Sequence, residues 1–255
     1  MSKFKNKNVI KFIIALFSVL LWVFIWALAS YKFDFEIIFP GPIKTFNTLL
    51  RLVGVAAFWK SVLYSFYRII FGLFIGVVSG IILTILCRAI PAINTFVSVG
   101  MSVIKSTPVA SIVLILWVLV DGASNLPVII AFLMVMPIIW QNLTDGFNSI
   151  DKNLIEVARV FEFSKAKTAK VVYLPTLLHH FVPALLTSIG LAWKSGISAE
   201  VIAYTKNSIG SNISDARANF DGDVLFAWTL VVVCISLLLE YGVKILLRRF
   251  KSKNA

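Results

Sequence analysis

Between Phe12 and Tyr31 the chain runs for twenty residues without one charged side chain. Wound as a helix rising ~1.5 Å per residue, that run is about as long as the hydrocarbon core of a bilayer is thick. It belongs to an apolar segment over about 10–31, and five more follow at about 61–87, 92–120, 125–142, 177–203 and 224–247. Of the 255 residues 59% are hydrophobic and 14% charged, where a soluble domain carries about 25% charge. So little polar material cannot coat a globule, and the apolar surface must face lipid. The pattern predicts an all-α integral membrane protein of about six transmembrane helices. Lys105 and Pro108 interrupt the third run, so part of it is expected to bend or lie at the interface.

Cys87 and Cys234 both lie in or beside apolar runs, which gives no disulfide framework. The formal net charge of +12 does not point to nucleic acid, because the basic residues gather at the ends of apolar runs and not along one soluble face. Lys3, Lys5, Lys7 and Lys11 precede the first run like the basic start of a signal peptide. Its apolar part is too long for one and no small-residue cleavage site follows, so an uncleaved anchor is expected.

Six spans place both termini on one side. That side collects the four N-terminal lysines, Arg88, Lys152, Arg159, Lys165, Lys167, Lys170, Lys244, Arg248, Arg249, Lys251 and Lys253. The other side has Lys32, Lys44, Arg51, Lys60, Lys206 and Arg217, with the acids Asp34, Glu36, Asp121, Asp215, Asp221 and Asp223. The bias predicts a multi-pass protein of the cytoplasmic membrane with both termini and the 143–176 loop in the cytoplasm.

That loop carries helical periodicity. Leu154, Val157, Ala158 and Phe161 follow i, i+3, i+4, i+7 spacing. Asp151 and Asn153 are candidate N-caps, and Glu156 sits in the first turn, where the helix dipole favours an acid. Ser164 can cap a second helix leading to Pro175. The apolar stripe needs a partner: this chain's own helix ends, or another subunit.

Arg68, Lys105, Lys194 and Glu200 are the charges in or near apolar runs. Each would cost ~2.5–3.5 kcal/mol facing lipid at mid-bilayer, so they should face the bundle interior or a watery path, or snorkel to an interface. Lys194 and Glu200, six residues apart, stand roughly 120° out of line on a helix and are no same-face pair. Three cations and one anion suit an anionic solute in a translocation path; structural pairing is the rival reading. Glu240 reads as interfacial. Gly72, Gly76 and Gly80 allow close helix approach, within the subunit or to a second copy.

Nothing points to catalysis. The stretch "GLAWKS" lacks the Gly before Lys that lets backbone wrap phosphate. His179 and His180 are adjacent and cannot share a helix face, and there is no metal-ligand spacing. No catalytic or metal residues are assigned.

The loop segment "LIEVARVFEFSKAKTAKVVYLP" resembles the EAA loop of ABC importer permeases. Glu156, Ala158, Arg159, Ser164, Leu174 and Pro175 match its pattern. Val157 stands where the family has its first Ala, and Glu162 where it has Gly, the residue that tolerates left-handed backbone, which Glu would adopt only at a cost of roughly 1–2 kcal/mol. "FPGPIKTFNTLL", "SFYRIIFGLFIGVVSG", "KSTPVASIVLILWVLVDGASN" and "GLAWKSGISAEVIA" are similar in order to the nitrate/sulfonate/taurine subfamily.

The resemblance covers roughly 35–247 and implies a type I ABC importer permease of the MetI-like fold. Its implied domains are a tail and first helix at 1–34, a permease core at 57–247 and a basic tail at 248–255. It implies a coupling helix that meets a cytoplasmic ATPase through Leu154, Glu156, Val157, Ala158, Arg159, Phe161, Glu162 and Ser164. ATP and Mg would be bound by that ATPase, with no cofactor in this chain. The other implied partners are a second permease copy or paralogue, an extracytoplasmic solute-binding protein and membrane lipid. The implied solute is small and anionic or heterocyclic, sulfonate-, taurine- or nitrate-like, or thiamine-precursor-like. A stand-alone secondary transporter or channel is the alternative, and would predict an internal inverted repeat that the sequence does not display. A membrane enzyme would need acidic or histidine clusters at a membrane face.

Overall fold

The computed structural model describes the backbone of residues 2–33, 38–120 and 124–253, and the side chains of 10, 13–32, 38–120 and 124–245. Outside those side chains lie Lys3, Lys5, Lys7, Lys11, Asp34, Glu36, Asp121, Arg248, Arg249, Lys251 and Lys253, whose charges shaped the predicted topology.

Every element among the described residues is helical. In chain order they are α1 (Ser2–Phe33), α2 (Pro42–Val53), α3 (Ala56–Ala89), α4 (Pro91–Ser106), α5 (Val109–Leu119), α6 (Leu126–Asn148), α7 (Lys152–Val160), α8 (Lys165–Thr168), a π turn at Ala169–Tyr173, α9 (Leu174–Ala203), α10 (Ile209–Ala218) and α11 (Gly222–Lys253). Proline marks several of the starts: Pro42, Pro91 and Pro127 each lie in a first turn. There the missing N–H would have had no intrahelical acceptor.

Among the described residues, five helices are long and apolar enough to cross a bilayer: Ile13–Lys32, Ala56–Ala89, Leu126–Asn148, Lys165–Ala203 and Gly222–Ile245. The pair α4 and α5 makes a sixth if taken as one span, bent by 104°. The bend falls at Thr107 and Pro108, as the sequence predicts. A residue before proline is pushed out of the helical region, and Thr107 is extended with ψ 130.

The chain divides into two compact units. One holds residues 1–59 and 212–231. In it Phe226 stacks on Trp26 at 5.8 Å and meets Phe39 edge-on at 5.5 Å, while Phe58 stacks on Trp228 at 4.8 Å. The link from α1 to α2 is tied back by Trp26 Nε1, which donates to Pro40 O at 3.1 Å, and by Ser30 Oγ, which donates to Phe39 O at 2.9 Å. Thr48 Oγ1 donates to Asp223 at 2.6 Å, and Arg51 lies 3.6 Å from the same carboxylate.

The other unit holds residues 60–211 and 232–255. Its most buried span is α6. On one side of α6, Cys87, Met101, Met136 and Trp140 join α3 and α4 to it. On another, Val113, Ile130, Met134 and Ala199 join α5 and α9. The contact of α3 with α6 runs along the glycines. A Cβ on Gly76 would fall 2.7 Å from Val135 Cβ, one on Gly80 would fall 2.8 Å from Ile139 Cβ, and one on Gly72 would strike Val128 O. Small residues let membrane helices close to this distance. Of the two readings of this stripe, the one these contacts describe is packing within the chain.

Candidate functional site

The loop between α6 and α9 folds as two short helices around a small core of its own. Asp151 caps α7, its carboxylate accepting from Asn153 N at 2.8 Å; Asn153 itself is already inside the helix. Ser164 Oγ caps α8 through Lys167 N at 3.3 Å. Between them, Phe163 N donates to Ala158 O at 2.9 Å and Glu162 N donates to Arg159 O at 3.0 Å. This is the Schellman pattern, and Phe163 packs on the cluster that contains Ala158, the apolar contact that goes with it. Glu162 occupies the left-handed position with φ 51. The turn keeps the shape a glycine would favour, with Glu bearing a strain of about 1–2 kcal/mol. The helix thus ends at Val160.

The predicted stripe divides in two. Ala158 is 3% exposed and packs with Ile150 and Val172 of this chain, whereas Leu154, Val157, Val160 and Phe161 are 49–79% exposed. Helix geometry explains the split. At ~100° per residue Ile155 and Ala158 point one way, and the other four cover an arc of about 120° beside them. Ala158 is therefore corrected from a docking residue to a core residue of the loop, the own-helix-ends reading. Val160 joins the exposed face; its i+3 spacing from Val157 was the signal for it. Glu156 and Arg159 are exposed on the polar side, as are Glu162 and Ser164 in the turn that follows.

The four charges within the spans separate as well. Glu200 is fully buried and Arg68 is 16% exposed, with Nη1 to Oε1 at 3.9 Å. Ser65 Oγ donates to Glu200 Oε2 at 2.7 Å and accepts from Ile209 N at 2.9 Å, while Gly210 N donates to Oε2 at 3.2 Å. Arg68 Nη2 donates to Lys206 O at 3.3 Å. This node fastens the α9–α10 link to α3, the structural pairing that rivalled a translocation role for these two residues. Lys105 is exposed on α4 and reaches Gln141 Oε1 at 3.5 Å, with Gln141 Nε2 donating to Asp145 at 3.0 Å. Lys194 is exposed on α9 and lines a groove of about 480 Å³ with Glu240 and Lys244 of α11. Glu240, read from sequence as interfacial, shares this groove with Lys194. His180 is tied to the end of α6 by Ser149 Oγ at 3.1 Å, with the His179 ring perpendicular to it.

With this geometry in view, the comparisons identify the class. Residues 72–252 match the family described as binding-protein-dependent transport system inner membrane component, and the chain belongs to that family. It is a permease subunit of an ABC transporter, a multi-pass inner-membrane protein. The chain is 25% identical to the taurine transport system permease protein TauC of Escherichia coli K12 over 239 residues, covering 91% of this chain and 86% of TauC. It is 25% identical to the putative aliphatic sulfonates transport permease protein SsuC of Bacillus subtilis 168, covering 83% of this chain and 76% of SsuC. With the bicarbonate transport system permease protein CmpB of Synechococcus elongatus it shares 28% over 187 residues, 72% of this chain and 66% of CmpB.

Among solved structures, a bacterial ABC transporter involved in import of the acidic polysaccharide alginate superposes with a TM-score of 0.63 at 16% identity, over 96% of this chain and 99% of that one. An amino acid ABC transporter superposes with a TM-score of 0.60 at 17% identity, over 77% and 93%. At these identities the structural likeness speaks for the fold, and the family match carries the function.

Proposed function

We propose that this permease forms half of the translocation path of an importer for a small oxyanion, driven by a separate ATPase that docks on the exposed face of α7. The observation that carries the docking is the arc of Leu154, Val157, Val160 and Phe161, four apolar side chains turned outward on a helix outside the spans. Such a face costs free energy in water and calls for a partner. The flanking Glu156 and Arg159 supply charges at its edge. ATP and Mg belong to that partner, and a second permease copy or paralogue and a solute-binding protein complete the assembly. The solute class draws on the relatives: the taurine, sulfonate and bicarbonate of their names all carry an oxyanion. A permease core over 57–247, with flanking segments at 1–34 and 248–255, is part of this reading.

The same reading puts α7 and both termini in the cytoplasm. In intact cells a thiol introduced at Asn219 should react with an impermeant reagent and one at Ser252 should not. Equal accessibility would defeat the six-span arrangement.

Docking is tested by contrasting two faces of one helix. Val157→Glu with Phe161→Glu is expected to reduce ATPase capture by the purified permease at least tenfold, a change of about 1.4 kcal/mol or more. The melting temperature of the permease alone should not move. Ala158→Trp should do the reverse, lowering that melting temperature, because overpacking a filled site costs about 1–3 kcal/mol. Undiminished capture by the glutamate variant would remove α7 from the docking surface.

A further inference from the structure

The Lys194 groove runs between the span of α9 and the last turns of the span of α11. Lys194 precedes the end of α9 at Ala203 by nine residues and Gly190 by thirteen, roughly 13 and 20 Å along the axis. Trp193 Nε1 donates to Val232 O at 3.0 Å, which fixes α9 against α11 at that depth. Glu240 and Lys244 enter the groove from further along α11 and pair at 3.8 Å. A Cβ on residue 190 would fall 3.1 Å from Glu240 Oε1, so the carboxylate lies close against α9 at Gly190.

A lysine within the span cannot be turned to hydrocarbon at mid-bilayer without a cost of ~2.5–3.5 kcal/mol on insertion scales. Lys194 shares its groove with residues from the inner half of α11, so it does not reach for the outer interface. Among the described residues Lys194 has no carboxylate within 4.0 Å, while Glu240 is already matched by Lys244. Two cations against one anion leave the groove with one positive charge.

We propose that this groove is a water-filled stretch of the transport path in which Lys194 meets the oxyanion headgroup of the passing solute. The Glu240–Lys244 pair holds the local charge at one positive unit, enough to attract a monoanion without trapping it. The proposal rests on the importer reading above and adds the place and the residue at which the solute's charge is met.

The test uses the full-length permease with Cys87→Ser and Cys234→Ser, carrying Thr187→Cys or Leu191→Cys on the groove wall, in permeabilised membranes. The probes are two methanethiosulfonates, one bearing an ethylsulfonate and one a trimethylammonium. Both positions should react, with the sulfonate reagent the faster. Adding Lys194→Gln should slow the sulfonate reagent and speed the cationic one by about threefold each. Failure of both positions to react would mean that lipid or a second copy fills the groove, and would overturn the proposal. So would a rate ratio indifferent to Lys194→Gln. Two wall positions keep the result from resting on one variant's folding, and ATPase capture by the same membranes reports separately whether the importer reading has failed.

Discussion

Arg68→Ala is expected to lower the stability of the isolated permease by about 3–5 kcal/mol, the usual cost of removing one partner from a buried ion pair. The substitution leaves the Glu200 carboxylate fully buried without the guanidinium 3.9 Å away. It also removes the donor to Lys206 O. Melting of detergent-solubilised protein, followed by cysteine accessibility, would read the loss. Adding Glu200→Gln to Arg68→Ala should recover a large part of it. Glutamine offers Ser65 and Gly210 the same acceptor without bringing a charge into the interior. An Arg68→Ala protein as stable as its parent would show that the pair contributes nothing to holding the α9–α10 link.

Gly76→Leu should be harsher still, with little folded protein recovered from membranes. The first added carbon already lies 2.7 Å from Val135 Cβ and 3.1 Å from Phe132 O, so α3 and α6 would have to part along their contact. The cost belongs at or above the upper end of the ~1–3 kcal/mol typical of overpacking. Gly100→Leu is the matched control, since a Cβ at that position of α4 meets nothing within 4 Å. If both variants accumulate and melt alike, the glycine contact does not decide the packing of the spans.

What could be read from the chain beforehand was whatever one stretch of sequence determines by itself. An uncharged run of twenty residues has few alternatives to crossing a bilayer, so the span positions were legible. The caps at Asp151 and Ser164 and the bend at Pro108 were legible for the same reason, each being a property of adjacent residues. The misplacement of Ala158 came from treating i, i+3, i+4, i+7 as one face. The apolar residues of α7 actually cover most of a turn, and only the neighbours Ile150 and Val172 decide which part turns inward. The pairing of Arg68 with Glu200 depends on the register of α3 against α9, across more than a hundred residues. The gathering of Lys194, Glu240 and Lys244 into one groove depends likewise on the register of α9 against α11. Neither register is written in any local pattern. Glu162 is a different case: a residue that disfavours its own conformation, held there by the hydrogen bonds on either side.

The helix that begins after Ser164 continues without a break to Ala203, 39 residues in all. At ~1.5 Å per residue this is a rod of roughly 58 Å, nearly twice the thickness of a hydrocarbon core. Its near end is built into the turn that follows α7, and its far end carries Glu200. Length of this kind multiplies any change of angle at the end next to α7. A tilt of about 10° at that end sweeps Ala203 through roughly 10 Å. Any such tilt would have to carry the Arg68–Glu200 node with it or break it.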